Sequence, residues 1–282
     1  MGQKELNHER LIGILACPVC KGKMHARGSS FNCNNCGIVF SQGNQRFLDF
    51  FPKEALIKSG EYKKWHQRQD LFLKWLHNVW SRDLAAESYA IYDEFEESIK
   101  DMPCSLTLDI GCGDGHLRSR LKGAEYIGID PFEGWILEER PGFMGEFFPV
   151  KDDSFIFIKG LGEYLPFREG VFDSVFITNA LDHGSHPLRI LEEAGRVLKP
   201  GGRLNIIHEN PSLTRKIMRN HLKGNLKMFA RKIRSLFLLR DFGVVHKAVT
   251  LDELNHWLDK RFTKNSRLSS KKTHIFYYCL KK

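Results

Sequence analysis

From Leu106 onward, short apolar runs alternate with amphipathic ones. The runs Leu106–Ile110, Tyr126–Ile129, Phe155–Ile158, Val171–Thr178, Arg203–His208 and Thr273–Leu280 predict strands. Helical patterns lie between several of them. Such alternation predicts an α/β fold with a mostly parallel sheet and helices on both faces. Ligands of such sheets bind outside the carboxyl ends of the strands. Upstream, Trp65, Leu71, Phe72, Trp75, Leu76 and Val79 recur at helical spacing, and Ala85–Ile99 continues the pattern. Neither Gly nor Pro interrupts the chain between Glu61 and Met102, and Pro103 ends the run. Three organisational units follow: residues 1–50, a helical connecting segment 51–103, and a main domain 104–282.

The first unit has a different character. Cys17-Pro-Val-Cys20 and Cys33-Asn-Asn-Cys36 are separated by twelve residues. Two such knuckles can set four thiolates tetrahedrally around one zinc ion. A four-thiolate site is closed, so the metal is expected to be structural. Fifty residues bury little core alone, so metal binding must supply much of the folding energy. Gly22 and Gly37 follow the knuckles, where a positive φ is often required, and a short hairpin is expected between them. The chain has seven cysteines. An odd number, with no apolar signal core in the opening MGQKELNHER, argues against a disulfide framework and for a cytoplasmic protein.

The first strand candidate leads to the chemistry of the main domain. Leu106–Ile110 runs into Gly111-Cys112-Gly113-Asp114-Gly115-His116. Glycines at alternate positions permit a sharp turn and close approach of a ligand. His116 stands where the dinucleotide fingerprint requires glycine, so a pyrophosphate is not the expected ligand. Tyr126–Ile129 ends in Asp130, 21 residues after Asp109. A carboxylate there can accept hydrogen bonds from the hydroxyls of a ribose.

The segments LDIGCGDG (108–115), YIGID (126–130), GLGEYLPF (160–167), FDSVFITNALDH (172–183) and RVLKPGGRL (196–204), in this order, resemble class I S-adenosylmethionine-dependent methyltransferases of the type 11 branch. Leu15–Gly22 through Phe47–Phe50 resembles the zinc ribbon of methyltransferase-activator type. The resemblance implies a Rossmann-like seven-stranded sheet with an antiparallel last strand, S-adenosylmethionine as cofactor, and structural Zn2+ on Cys17, Cys20, Cys33 and Cys36. It places Asp109, Gly111, Cys112 and Gly113 at the methionine end of the cofactor, and Asp130 at its ribose. Gly162 falls at the adenine, and Asn179 with Ala180 beside the methyl group. Leu161 departs from the branch, which usually has an aspartate there for the adenine amine. Glu163 or water is the available compensation.

Methyl transfer requires that the acceptor be aligned and lose its proton. Asp182, His183 and His186 after the fourth strand, and His208 and Glu209 after the fifth, are the candidate bases. Histidine titrates near neutrality, so His183 ranks first and His208 second.

Lys and Arg exceed Asp and Glu by 43 to 34, a net charge of +9. Nine basic residues, from Arg215 to Arg240, lie between Asn210 and Asp241 with no acid among them. Apolar residues at steps of three to five make 211–240 an amphipathic helical insertion. A lid for an anionic substrate, an RNA-binding arm and a membrane-surface contact are the open readings, beside a solvated face over a packed stripe. Only Phe229 and Phe237 interleave with the charges, which is poor support for base stacking. The leading acceptor is a small molecule, sugar or lipid precursor. RNA is the alternative, because a ribbon joined to a methyltransferase also resembles a bacterial ribosomal RNA guanine methyltransferase arrangement. A non-catalytic zinc-dependent binding protein with a degenerate methyltransferase fold is the reading from another class.

Overall fold

The computed structural model describes residues 8–41, 43, 47–78, 82–99, 106–121, 123–135, 155–209, 249–268 and 274–282. The basic insertion 211–240 lies outside the described residues.

The amino-terminal unit opens with helix α1 (His8–Ile14), followed by strands β1 (Met24–Arg27), β2 (Ser30–Cys33) and β3 (Val39–Ser41). The three strands form a small antiparallel sheet in the order β1-β2-β3. Next come β4 (Phe47–Asp49) and helices α2 (Lys53–Lys58), α3 (Tyr62–Asn78) and α4 (Arg82–Ile99). The large sheet then takes β5 (Leu106–Ile110), β6 (Glu125–Asp130), β7 (Ile156–Lys159) and β8 (Phe172–Thr178). After helix α5 (Pro187–Val197) it adds β9 (Leu198–Glu209), and after helix α6 (Leu251–Arg261) it ends with β10 (Phe262–Leu268) and β11 (His274–Lys281).

Eight strands, in the order β10-β11-β9-β8-β5-β6-β7-β4, make up the large sheet. Seven belong to the main domain, and of these β11 alone runs against its neighbours. The eighth corrects the expected count of seven. Strand β4, three residues from the amino-terminal unit, pairs parallel with β7 through Phe47↔Phe157, Leu48↔Ile158 and Asp49↔Lys159. It satisfies backbone groups that an edge strand leaves open.

Side-chain alternation sorts the core into two layers. One face of the sheet, with Leu108, Ile129, Val175 and Ile206, packs on α5 and α6. The other, with Tyr126, Phe176, Ile207 and Phe276, packs on Ile91, Phe95 and Ile99 of α4. The connecting segment therefore supplies a helical layer for the sheet. After β5 the chain makes only a 3₁₀ turn, His116–Arg120.

The amino-terminal unit shares its core with the sheet. Leu11, Leu15, Met24, Phe31 and Phe40 join the same cluster as Leu165 and Phe167. Main-chain bonds run from Ala16 N to Pro166 O (3.0 Å) and from Arg168 N to Ile14 O (2.9 Å). Between them lies a half-buried polar knot. Lys21 Nζ donates to Glu193 Oε2, Pro18 O and Leu165 O, and Arg196 Nε donates to Glu193 Oε1 at 2.7 Å. Burial would raise the Glu193 carboxyl, but the Arg196 and Lys21 cations hold it below its usual range.

Candidate functional site

The cleft lies at the carboxyl ends of β5, β6, β7 and β8 and has a volume of about 260 Å³. Its floor is the turn after β5. Gly111 has φ +72°, and a Cβ built there would lie 2.3 Å from the Ala180 Cβ. Only glycine serves at this point, for both its conformation and its clearance. Gly113 also has a positive φ, +54°. The turn is fastened to β6: Gly111 N and Cys112 N donate to Ile129 O at 2.8 and 3.2 Å, and Gly113 N donates to Asp130 Oδ2 at 3.1 Å.

Asp130 closes the second wall. Its Oδ1 accepts from Phe132 N at 2.9 Å, so each carboxylate oxygen has one amide donor and a lone pair left. Burial is the main force pushing this carboxyl up to about 7, and the Asp114 and Glu133 carboxylates add to it. Asp109 is likewise raised to about 7, by burial first and then by Asp130 and Asp114, against the bond it accepts from Tyr126 at 2.6 Å. Asp114 in turn accepts from the Tyr89 hydroxyl and from His116 N. The floor of the cleft thus rests on three buried acids, a surrounding that favours positive charge in front of it.

The β7 and β8 loops complete the enclosure. A Cβ on Gly162 would lie 2.8 Å from Ile110 and 3.1 Å from Ile190. Leu161 packs with Leu56 and Tyr164, against which Phe51 and Trp65 are partly buried. Its apolar side chain is explained by that packing. Glu163 Oε1 accepts from Ser185 N (2.8 Å) and His186 N (3.2 Å), so one of its oxygens holds the β8 loop. Asn179 stands at φ +49°, with its N–H on Ile207 O at 2.9 Å. Its Nδ2 is 3.4 Å from His274 Nε2, because the antiparallel β11 begins at the edge where the parallel strands end.

Among the sequence candidates, Gly111, Gly113, Asp130, Gly162, Asn179, Ala180 and His183 line one cleft. His183 is half exposed, with Nε2 4.0 Å from Asp182 Oδ1. Asp109, Cys112 and His208 do not line it. Asp109 is turned to Tyr126, and the Cys112 sulfur lies beneath Gly128, where a Cβ would meet it at 2.6 Å. His208 is buried within β9, paired with Ile275. Burial in the sheet keeps it from the cleft. Helix α3 contributes residues with no counterpart among the sequence candidates: Glu61, just before its start, with Trp65 and Gln69. Their spacing of four residues is the signal that could have found them.

The four cysteine sulfurs lie within 4.8 Å of one another. Cys17 and Cys36 sulfurs are 3.7 Å apart, and those of Cys20 and Cys33 3.4 Å. A tetrahedral site with bonds of about 2.3 Å needs sulfurs about 3.8 Å apart, so the donor set fits a zinc ion. Burial pushes the Cys17 thiol up to about 12; at Cys20 the Gly22 amide and neighbouring donors outweigh burial and bring it to about 6. The left-handed residue of the first knuckle is Lys21, φ +61°, and not Gly22. Gly22 is needed for clearance, since a Cβ would lie 2.7 Å from Asn35 and 3.1 Å from the Cys33 sulfur. In the second knuckle Gly37 is left-handed, at φ +72°.

Comparison with known proteins places this geometry. The methyltransferase domain family matches residues 108–206. Residues 108–206 form a methyltransferase domain. A tRNA U34 carboxymethyltransferase of Colwellia psychrerythraea is 29% identical over 185 residues, 62% of this chain and 52% of the relative. An uncharacterized methyltransferase of Mycolicibacterium gilvum is 31% identical over 123 residues, 42% of this chain and 46% of the relative. The chain spans about half the length of these curated relatives. A solved SAM-dependent methyltransferase, a possible histamine N-methyltransferase from Thermotoga maritima, is 20% identical with a TM-score of 0.49; the match covers 78% of this chain and 100% of that one. No helix among the described residues is long and apolar enough to cross a membrane.

Proposed function

We propose that this chain is an S-adenosylmethionine-dependent methyltransferase carrying structural zinc in its amino-terminal ribbon. The observation that supports this best is the convergence of the Gly111–Gly113 turn, Asp130, Gly162 and Asn179–Ala180 on one cleft of a methyltransferase-type sheet. The cofactor supplies an activated methyl group on a sulfonium centre. The chain's residues bind and orient. Gly111 and Gly113 let the main chain approach the methionine end, backed by the buried acids. The free lone pairs of Asp130 accept from ribose hydroxyls. Asn179 and Ala180 border the place of transfer. Cys17, Cys20, Cys33 and Cys36 hold the zinc.

His183 is the candidate base. It lines the cleft beside Asp182 and is open enough to reach an acceptor proton. Its replacement by Gln is expected to lower turnover about 100-fold, with cofactor affinity unchanged. An acceptor that is already nucleophilic, with no proton to lose, would leave turnover untouched and remove the base assignment.

The acceptor is proposed to be an anionic small molecule, sugar or lipid precursor, on the strength of the nine-charge basic segment. An RNA acceptor is the second reading. The same charge supports it, as does the printed name of the Colwellia relative. Calorimetry with S-adenosylmethionine tests the core of the reading. Micromolar binding is expected; no heat at millimolar cofactor would favour the non-catalytic binding protein. Labelled-methyl transfer into fractionated cell extract separates the acceptors. Label in bulk RNA, with affinity falling steeply as salt rises, would replace the small-molecule assignment.

A further inference from the structure

The wall of the cleft between Asp130 and Leu161 must hold the base of a bound nucleoside if the reading above is right, and the inference here rests on that reading. Leu161 cannot recognise a base edge: its side chain has no hydrogen-bonding atom and is packed against Leu56 and Tyr164. Polar groups come instead from α3. Glu61, Trp65 and Gln69 recur every four residues, so they form one stripe of the helix, and all three line the cleft. Glu61 is engaged, its Oε1 2.9 Å from His186 Nε2. Trp65 is packed against Phe51 at 4.0 Å between ring centroids. Gln69 is different: its Oε1 is buried with no hydrogen-bond partner. A buried amide oxygen without a donor is costly, and the cleft beside it is the place from which a donor can come. Gln69, Trp65 and Phe132 also line the groove adjoining this cleft, so they stand at one end of it, past Asp130.

We propose that Gln69 reads the base of the nucleoside. Its carboxamide oxygen accepts from the exocyclic amine of adenine, and its N–H donates to N7, the edge on which a base with a carbonyl offers two acceptors that no rotation of the amide can satisfy together. A carboxamide matches adenine in this way because donor and acceptor are paired on both sides. The terminal torsion of glutamine is broad, so the amide can turn to meet the base without moving α3. Leu56, Leu161 and Trp65 give the base its apolar surroundings. The base specificity of this site thus resides in the segment before the methyltransferase domain, outside residues 108–206.

Calorimetry with S-adenosylhomocysteine and S-inosylhomocysteine tests the assignment on the full-length, zinc-loaded chain. The inosine analogue carries a carbonyl in place of the amine, so it turns a donor into an acceptor. The unmodified chain is expected to prefer the adenosine compound by about 100-fold or more, as sites that pair a polar group do. Gln69→Met keeps the volume and is expected to weaken the adenosine compound about tenfold, the loss of one net hydrogen bond, and to tighten the inosine compound about tenfold by removing an oxygen set against its carbonyl, so that the preference nearly vanishes. Gln69→Glu retains the acceptor and is expected to keep most of the preference. An equal preference in the unmodified chain and Gln69→Met, with circular dichroism unchanged, overturns the proposal while the nucleoside reading stands. Loss of helical signal in Gln69→Met passes the decision to Gln69→Glu: collapse of the preference there also overturns the proposal. Absence of binding by the unmodified chain to either compound overturns the nucleoside reading itself.

Discussion

Strand β1 of the ribbon buries one residue of four, Met24, whereas strand β5 of the large sheet buries all five. The difference is one of depth. The ribbon's strands have one face on the shared core and one in water. The central strands lie between α4 on one side and α5 with α6 on the other. Apolar burial is the main driving force of folding and scales with area, so the sheet stands on its own burial. The ribbon must borrow from two sources, four thiols close enough for one ion and the surface of the sheet. The loan is returned through β4, which covers the β7 edge, and Phe50 N bonds Lys159 O at 2.9 Å just before Gly160 and Leu161. The two regions are mechanically continuous up to the wall of the cleft.

Removing the metal should break that comparison most sharply. Cys33→Ser, or chelation, is expected to release the proposed zinc and unfold the ribbon at a cost upwards of about 5 kcal/mol. Metal analysis together with the unfolding transition checks it; a chelated chain with an unchanged midpoint would mean that the shared core suffices. Gly111→Ala probes the sheet side. A Cβ 2.3 Å from Ala180, at φ +72°, is expected to cost about 3 kcal/mol and to reduce cofactor affinity more than 100-fold. Urea unfolding and calorimetry measure the two effects. The seam comes next. Lys21→Met removes the cation from Glu193 and is expected to cost about 2 kcal/mol, partly repaired by Arg196. A double replacement of Lys21 and Glu193 that is no worse than the single one would locate the cost in the unpaired carboxylate.

A further effect is on pH. Asp109 and Asp130 have carboxyls pushed up to about 7, from a usual 3.8, by burial. A raised carboxyl binds its proton more tightly in the folded chain. Its stabilising contribution is whole below 3.8 and is lost as pH rises through about 7. Without cofactor, the melting temperature is expected to carry a decline over that window, and Asp109→Asn to flatten it. Parallel curves for the two proteins would remove Asp109 from the account.

Much of the sheet was legible because its strands are continuous apolar runs, which only a doubly covered strand tolerates. Strand β10, Phe262–Leu268, was not. Its sequence FTKNSRL is mostly polar, as an edge strand with a solvated face permits. Strand β4 is three residues long and carries too little pattern to assign to either sheet. At the site, Asp130 could be placed by its position at a strand end and the Gly111–Gly113 turn by its alternate glycines, whereas Asn179 came from the resemblance alone; all of them line the cleft. Asp109 and Cys112 are close in sequence yet face away, since alternation along a strand and a turn fastened to Ile129 point them under the loop. His208 is at a strand end too, but β9 continues to Glu209 and pairs with His274, which keeps it inside the sheet.

The order of elements, the thiol quartet, the glycine turn and the acid at 130 were set by the chain itself, because each depends on local spacing and on conformations open only to certain residues. Distances across the chain settled the rest: that β4 completes the β7 edge, that Lys21 meets Glu193, and that one stripe of α3 faces Leu161. Those meetings join residues more than ninety positions apart. They depend on which surfaces bury best against each other, and no periodicity within a single segment records that.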